Sequence, residues 1–129
     1  MRELKFKFWN KIAHRFQAPN KYAIQGDGLY VSYDYDMMAW DDPSSFDDSI
    51  LVPCQYTGLK DSEDKEVYEN DIVEVGFGEH KGALGKIIFE YGCFMIESKY
   101  GATFQDSYKS IKYGKIVGNV FENPEFLKQ

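Results

Sequence analysis

The sequence contains only two cysteines, Cys54 and Cys93, and no Cys-x-x-Cys pair. Two isolated thiols make neither a structural zinc site nor a disulfide framework. No apolar run reaches about 18 residues, the length that a membrane-spanning helix requires. Residues 1–10 mix charged and aromatic residues, so they lack the apolar core of a signal peptide. These absences predict a protein of a reducing cytoplasm with no membrane segment.

Positive charge is missing from residues 23–59, which carry seven Asp and no Lys or Arg. Residues 1–22 instead carry six basic residues against one acidic residue, within a net charge of −6 for the whole chain. An acidic protein does not bind nucleic acid through its overall field, because neutralising phosphates requires a basic surface. A local basic face on the N-terminal arm is the exception that the pattern allows. The simpler interpretation is a strand whose lysines point outward and keep it soluble.

Aromatic residues are abundant, at 17% of the chain, and many of them alternate with polar residues. Leu4, Phe6 and Phe8 alternate with lysines, which is typical of an amphipathic strand. The polar stretch 57–64 is predicted to be a turn. Further short strands are predicted between turn-forming residues, at 21–24, 29–33, 51–55, 72–77, 84–90, 93–97 and 113–121.

Short strands separated by glycine turns predict a mainly β fold, a small barrel or sandwich, with a short helical turn beginning at Pro124. We predict that residues 1–50 form an N-terminal extension of strand, hairpin and acidic loop. Residues 51–129 are predicted to form the barrel core, packed with the extension as one unit. The first and last strands are predicted to pair and to bring Trp9 near Phe121.

The stretch from Tyr30 to Trp40 has the most unusual composition, rich in Tyr, Trp and Met, and its simplest interpretation is a core strand with a covering loop. The alternative is an exposed patch for a protein partner. The overlapping acidic loop 34–48 contains six Asp residues, but an EF-hand is excluded, since Asp34-Tyr35-Asp36 is followed by Met37-Met38-Ala39 instead of the required ligands and glycine. The simplest interpretation of this loop is a solvated one; a weak cation site and a docking surface for a basic protein are the alternatives. The candidate partner surface consists of Tyr33, Tyr35, Trp40, Asp41, Asp42, Asp47 and Asp48.

Nothing in the sequence combines a nucleophile, a base and an orienting group, and no phosphate-binding glycine loop occurs. We therefore expect no enzyme, no cofactor and no metal site. The composition favours a non-enzymatic binding module whose partner is another protein or a second copy of the same chain. The alternative is a nucleic-acid-associated accessory or regulatory protein, in which Lys5, Lys7 and Lys11 contact phosphates and neighbouring aromatic rings stack on bases.

Three segments, taken together and in order, carry a family resemblance. They are MRELKFKFWNK at 1–11, QYTGLKD at 55–61 continued by KEVYENDIV at 65–73, and VGNVFENPEFL at 117–127. The chain resembles the YopX family of phage and prophage proteins. The resemblance implies a β-rich fold with an SH3-like barrel component, a phage or prophage origin, and action in the cytoplasm of a bacterial host. The family has no established catalytic group, so the resemblance implies no activity.

The residues of these motifs are predicted to be structural. Asp71 can accept hydrogen bonds from nearby backbone N–H groups, as Asx turns do. Asp64 and Asn70 stand where the family usually has glycine, and both residue types tolerate positive φ. Gly118 permits a close backbone or aromatic approach. The motif residues expected to shape the fold are Trp9, Tyr56, Thr57, Gly58, Asp71, Gly118, Asn119, Asn123 and Pro124.

Overall fold

The contacts within the chain divide it into two compact units. The large unit comprises residues 1–6 and 55–129, and the small unit comprises residues 7–54. The computed structural model describes residues 3–17, 22–24, 30–32, 51–103 and 107–128, with the backbone alone at 22–24, 30–32, 102–103 and 107.

The small unit contains most of strand β1 (Phe6–Asn10), which pairs antiparallel with the short strand β2 (Arg15–Phe16). The side chain of Asn10 shapes the turn between them, because its Oδ1 accepts the N–H groups two and three residues ahead, each at 2.9 Å. Trp9 lies opposite Phe16, and the two rings meet edge to face with centroids 5.1 Å apart.

A second antiparallel pair in the small unit confirms a predicted hairpin. Strand β3 (Tyr22–Ile24) pairs with strand β4 (Tyr30–Ser32), with Ala23 opposite Val31. The candidate partner surface between Tyr33 and Asp48 lies outside the described residues.

Strand β5 (Leu51–Lys60) begins in the small unit and continues in the large unit from residue 55. In the large unit it pairs antiparallel with β6 (Glu66–Tyr68). Opposite Tyr56 on β5 lies Tyr68 on β6, and their rings pack tilted with centroids 5.4 Å apart.

The large unit also holds a five-stranded antiparallel sheet with the order β10-β9-β8-β7-β11. Its strands are β7 (Asp71–Glu74), β8 (Leu84–Glu90), β9 (Cys93–Ser98), β10 (Gly101–Thr103) and β11 (Lys115–Asn119). A short helix, α1 (Ser107–Lys112), precedes β11, and a 3₁₀ helix (Pro124–Lys128) ends the described chain. The prediction of a mainly β fold with a terminal helical turn is confirmed.

The core of the large unit is built from β-branched residues, which suit the pleated and half-buried surface of a sheet. It consists of Val67, Val73, Val75, Ile87, Ile96 and Ile111. Ile111 comes from α1 and is 1% exposed, so the short helix is held to the sheet by burial rather than by its own hydrogen bonds.

A close backbone approach holds α1 to the end of β7. The N–H of Gly76 donates to the carbonyl of Ser110 at 3.1 Å, and a Cβ at Gly76 would overlap the backbone of Tyr113. Ser110 also donates its hydroxyl to the carbonyl of Phe77 at 3.2 Å. Glycine at position 76 is therefore required by space, because its φ is not in the left-handed region.

The hairpin that joins β8 and β9 turns through Tyr91 and Gly92, as predicted, and both residues have positive φ, of 55° and 80°. A two-residue turn of this kind favours Asn-Gly, because asparagine tolerates the left-handed region better than a bulky aromatic residue. We expect Tyr91→Asn to raise the free energy of unfolding by about 0.5–1 kcal/mol. Urea denaturation of the two proteins measures the difference; an equal or lower stability would contradict the expectation.

Two predictions are wrong. The polar stretch 57–64 is strand as far as Lys60, and only the residues after it turn, because pairing with β6 tolerates polar side chains on β5. The last strand, β11, pairs with β7 and not with the first strand. The N–H of Ile116 on β11 is bonded to the side chain of Asp61, which occupies a group that a further strand would need. The predicted contact between Trp9 and Phe121 stays a prediction.

Candidate functional site

The motif at 57–61 stabilises the end of β5 through its own side chains. The hydroxyl of Thr57 donates to the carbonyl of Val67 at 2.8 Å and accepts the N–H of Leu59 at 3.1 Å. Gly58, between these two residues, has a φ of 87° and so lies in the region that favours glycine. Thr57 and Gly58 therefore shape the strand, as predicted.

Asp61 is a carboxylate that joins two distant parts of the large unit. The residue is only 5% exposed. Its carboxylate accepts three backbone N–H groups, each at 2.9 Å. Two of the donors, Glu63 and Lys65, belong to its own turn, whereas the third, Ile116, lies 55 positions further along the chain. One carboxylate thus fixes a local turn and ties it to β11.

Two opposing effects act on the pKa of the Asp61 carboxyl. Burial alone would raise the pKa, because it disfavours the charged form. The three N–H donors outweigh burial and hold the pKa below its usual range. Asp61 is therefore ionised at neutral pH and bound to its donors, which leaves it unsuited to accept a proton in catalysis.

The turn between β6 and β7 is closed by Asp71 and Asn70. The Asp71 Oδ2 accepts the N–H of Tyr68 at 2.8 Å, a bond to a nearby backbone group. Asn70 has a φ of 71°, and Asp64 in the preceding turn has a φ of 64°, so both take the conformation that was predicted for them. These residues support the fold.

The motif at the end of β11 is a compact network of amides. The Asn123 Oδ1 accepts the N–H of Asn119 at 3.2 Å, and the Asn119 Oδ1 accepts two further backbone N–H groups, at 2.9 and 3.0 Å. A Cβ at Gly118 would collide with the side chain of Asn123, so the close approach predicted there is made by an amide. Pro124 begins the 3₁₀ helix, as expected for a residue with a fixed φ.

The lysines of the N-terminal arm lie in different environments. Lys5 forms an ion pair with Glu66 and a second one with Glu3 at 3.1 Å, and these carboxylates raise the pKa of its ammonium group. Lys7 lies over the ring of Phe16, with Nζ 4.7 Å from the centroid. Lys11 is exposed in the turn after β1. Lys5 is thus already neutralised by neighbouring acids.

Two aromatic motif residues are buried, as their structural role requires. Trp9 is 4% exposed in the small unit, and Tyr56 is 6% exposed in the large unit.

Among the described residues, no group of three or more His, Cys, Asp or Glu side chains is placed to hold a metal ion. No described helix is long and apolar enough to cross a membrane.

The large unit has a cleft of about 670 Å³ that the sequence did not reveal. It lies between three segments: the loop 79–84 between β7 and β8, the turn 97–100 between β9 and β10, and residues 126–127 of the 3₁₀ helix. Its volume is in the range of protein sites that take small molecules or side chains. Phe126 and Leu127 contribute half-buried apolar surface to this cleft.

One wall of the cleft is a pair of stacked rings. His80 and Tyr100 lie parallel, with centroids 4.0 Å apart and an angle of 6° between their planes. The Lys99 Nζ lies 5.2 Å from the centroid of Tyr100, and Tyr100 is still 56% exposed. The stack therefore presents a rigid aromatic surface beside a positive charge.

The rim of the cleft carries charges of both signs. Lys86 and Glu97 lie opposite each other on β8 and β9, with Nζ and Oε1 3.5 Å apart. Such an exposed pair contributes less than about 1 kcal/mol to stability, but it holds both side chains at the edge of the cleft. A mainly polar lining with two half-buried apolar residues and a charged rim is suited to binding.

Sequence reasoning missed this cleft because its parts are far apart along the chain. His80 lay in a predicted hairpin loop with no signal that a ring would stack on it. The only signal available was the recurrence of aromatic residues with Lys near turns, as at Lys99 and Tyr100.

Small mainly β proteins with a cleft have many different functions, so the fold alone defines only a structural class. The comparison with protein families is more specific: the model of the YopX protein family matches residues 5–128. The chain belongs to the YopX family, which confirms the resemblance carried by the three motifs.

Two solved structures share the fold over nearly their full length. The protein EF1440 from Enterococcus faecalis aligns with a TM-score of 0.68 and 20% identity, covering 98% of this chain and 99% of that one. The protein yopX from Bacillus subtilis aligns with a TM-score of 0.62 and 16% identity, covering 100% of this chain and 98% of that one. At these identities the likeness shows the fold alone. No curated protein matches the sequence significantly.

Proposed function

We propose that this YopX family member is a non-enzymatic binding module that contacts a protein partner through the cleft of the large unit. The observation that carries the proposal is the combination of half-buried apolar residues, Phe126 and Leu127, with the exposed ring of Tyr100 and a charged rim. Interfaces combine apolar and aromatic residues with polar ones, and the lining of this cleft contains all three kinds.

The state of the motif carboxylates also supports a binding role. The side chain of Asp61 accepts three backbone N–H groups, and that of Asp71 accepts the N–H of Tyr68. Both carboxylates therefore hold the backbone. A general base must instead reach a substrate proton. The cleft itself brings together His80, Tyr100 and lysines in an arrangement that offers contact surface.

The size of the cleft fits one or a few side chains of a partner segment. An interface centred on it buries little area, and small interfaces belong to transient complexes. The proposal therefore includes a dissociation constant in the micromolar range, which corresponds to a binding free energy of about −8 kcal/mol. A partly exposed tyrosine in such a cleft, such as Tyr100, is a typical energetic hot spot.

The proposal extends to origin, location and assembly. Family membership supports a phage or prophage protein that acts in the cytoplasm of its bacterial host. The partner is then a host or phage protein, with self-association as the simplest variant of the same binding mode.

The test is capture of the partner from a bacterial host with a C-terminally tagged chain, before and after nuclease treatment. We expect a protein in stoichiometric amount that survives nuclease, and a loss of at least about 10-fold in its affinity for Tyr100→Ala. The matched control is Tyr91→Asn, since Tyr91 is an exposed tyrosine (86%) in another turn of the same sheet, outside the cleft.

Two results would contradict the proposal. Equal capture by Tyr100→Ala and by the control would remove the cleft from the interface. If charge reversal at Asp41, Asp42, Asp47 and Asp48 abolished capture and Tyr100→Ala did not, the interface would lie on the acidic stretch.

A further inference from the structure

A second surface of the large unit combines exposed lysines with exposed aromatic rings. We call it the lysine–aromatic face, and it shares no residue with the cleft. It consists of Phe77, Tyr108, Lys109, Lys112 and Tyr113, and exposed Lys115 follows two positions further along the chain.

The rings and ammonium groups of this face alternate at short distances. The Lys109 Nζ lies 4.7 Å from the centroid of Phe77. The Lys112 Nζ lies 5.5 Å from the centroid of Tyr108 and 5.6 Å from that of Tyr113, and it donates a hydrogen bond to the Tyr108 hydroxyl at 3.3 Å. Tyr108 and Tyr113 are 54% and 55% exposed, so each ring still offers surface to a ligand.

The face is held in place by the backbone beneath it. Ser110, between Lys109 and Lys112 on α1, accepts the N–H of Gly76 and donates to the carbonyl of Phe77. This pair of bonds fixes Phe77 next to the helix that carries the lysines. A ligand therefore meets a largely preformed surface, which lowers the entropy cost of binding.

The face also has a surplus of positive charge. Within the described ranges its two lysines and Lys115 form no ion pair, in contrast to Lys5, Lys60 and Lys86. One acid is near by register, because Glu74 on β7 lies opposite Lys115 on β11. Counted over the described residues alone, these three lysines outnumber the one glutamate, on a chain of net charge −6.

We propose that the lysine–aromatic face binds single-stranded nucleic acid. Ammonium groups spaced among exposed rings match a ligand that alternates phosphates with stackable bases, and each stacked base contributes about 1–3 kcal/mol. An acidic peptide would use the lysines but would leave the tyrosine rings without a comparable partner. The observations therefore favour the nucleic acid over the peptide.

The chemistry of the face also predicts how selective the binding is. All its cations are lysines, whose ammonium groups are flexible point charges, and it lacks the planar groups of Arg, Asn and Gln that form oriented contacts with base edges. The face therefore neutralises phosphates and stacks bases without identifying them. Binding is expected to depend on strand state and salt, and only weakly on sequence.

The contact residues differ from those that the N-terminal arm suggested. Lys5 is held by Glu66 and Glu3, so releasing it to a phosphate would break existing ion pairs. The lysines of the face form no ion pair with a described acid, so binding a phosphate would give up only ring contacts and the hydrogen bond from Lys112 to Tyr108. The proposal goes beyond the protein-binding cleft, and either one can be wrong without the other.

The test is fluorescence anisotropy of a labelled 20-nucleotide oligothymidine with the full chain between 50 and 200 mM salt. Three phosphates neutralised on a single strand give a slope of log K against log salt of about −2, so affinity is expected to fall roughly 20-fold over this range. Changing both Lys109 and Lys112 to Gln is expected to reduce the slope to about −0.7. Tyr113→Leu is expected to weaken binding about 10-fold with the slope unchanged.

The controls are Lys60→Gln, which removes a lysine paired with Asp64 elsewhere on the unit, and Tyr100→Ala, which alters only the cleft. Both are expected to bind the oligonucleotide like the unaltered chain. No binding at 50 mM salt would overturn the proposal, as would the same slope in the double lysine variant. Equal binding of a glutamate polymer of the same charge would show a general anion surface and would also overturn it.

Discussion

Replacement of Asp61 by alanine is expected to lower the free energy of unfolding by about 3–5 kcal/mol. The change removes three part-buried hydrogen bonds to a charged acceptor, each contributing about 1.5–3 kcal/mol at most, and leaves their N–H groups without this partner. Part of this loss is recovered where water reaches the turn. The remainder is large relative to the total stability of a small domain.

Urea denaturation followed by tryptophan fluorescence measures the loss. Asp64→Asn is the matched control, because Asp64 lies in the same turn but its side chain is 86% exposed and only 3.8 Å from Lys60 in a weak ion pair. Asparagine also tolerates the positive φ at this position. A loss below about 1 kcal/mol for Asp61→Ala would mean that the three bonds do not hold the turn to β11.

The lowered pKa of Asp61 gives this contribution a pH dependence with a defined sign. A carboxyl whose pKa is lower in the folded state stabilises the fold above its unfolded pKa of about 4, and the contribution is lost as pH falls through the folded pKa. We therefore expect stability to fall with acidification below about pH 4. Asp61→Asn should show a shallower fall over the same window, since its side chain does not titrate.

The second large effect is expected at Gly76, where alanine should cost at least about 3 kcal/mol or prevent folding. The added methyl group would meet the backbone of Tyr113 and Gly114, and a backbone cannot move aside as a flexible side chain does. Accommodating it would push α1 away from the end of β7 and open the core beneath Ile111.

Gly82→Ala is the control, because a Cβ there has no neighbour within 4 Å and only its φ of 95° is unfavourable for alanine. It should cost about 1 kcal/mol through backbone strain alone. Thermal unfolding monitored by circular dichroism compares the two variants. Similar midpoints for both would show that the approach of α1 to β7 is not tight.

Local features of this fold could be predicted from the sequence because their causes are local. The positive φ of Asp64 and Asn70, the bond from Asp71 to a nearby N–H and the turn at Tyr91–Gly92 each depend on residues within a few positions. Alternation likewise identified most strands, since the side-chain period of a strand is visible in a short window.

The features that escaped prediction depend on residues brought together by the fold. The bond from Asp61 to Ile116 spans 55 positions, and the cleft joins His80 and Tyr100 to Leu127. Residues 57–60 were predicted as a turn because they are polar, but a strand can place hydroxyl and ammonium groups outward and still pair. No periodicity within one segment contains such information.

The turn that begins at Asp61 also governs how one molecule meets another. Along the outer side of β11, the N–H of Ile116 is bonded to Asp61 and the carbonyl of Gly114 accepts the N–H of Ser62. These are the groups that a strand from another chain would need in order to extend the sheet. The carboxylate that stabilises this turn thus also makes the edge of the sheet less available for pairing with another chain. Variants that lose it should become prone to aggregation as well as less stable.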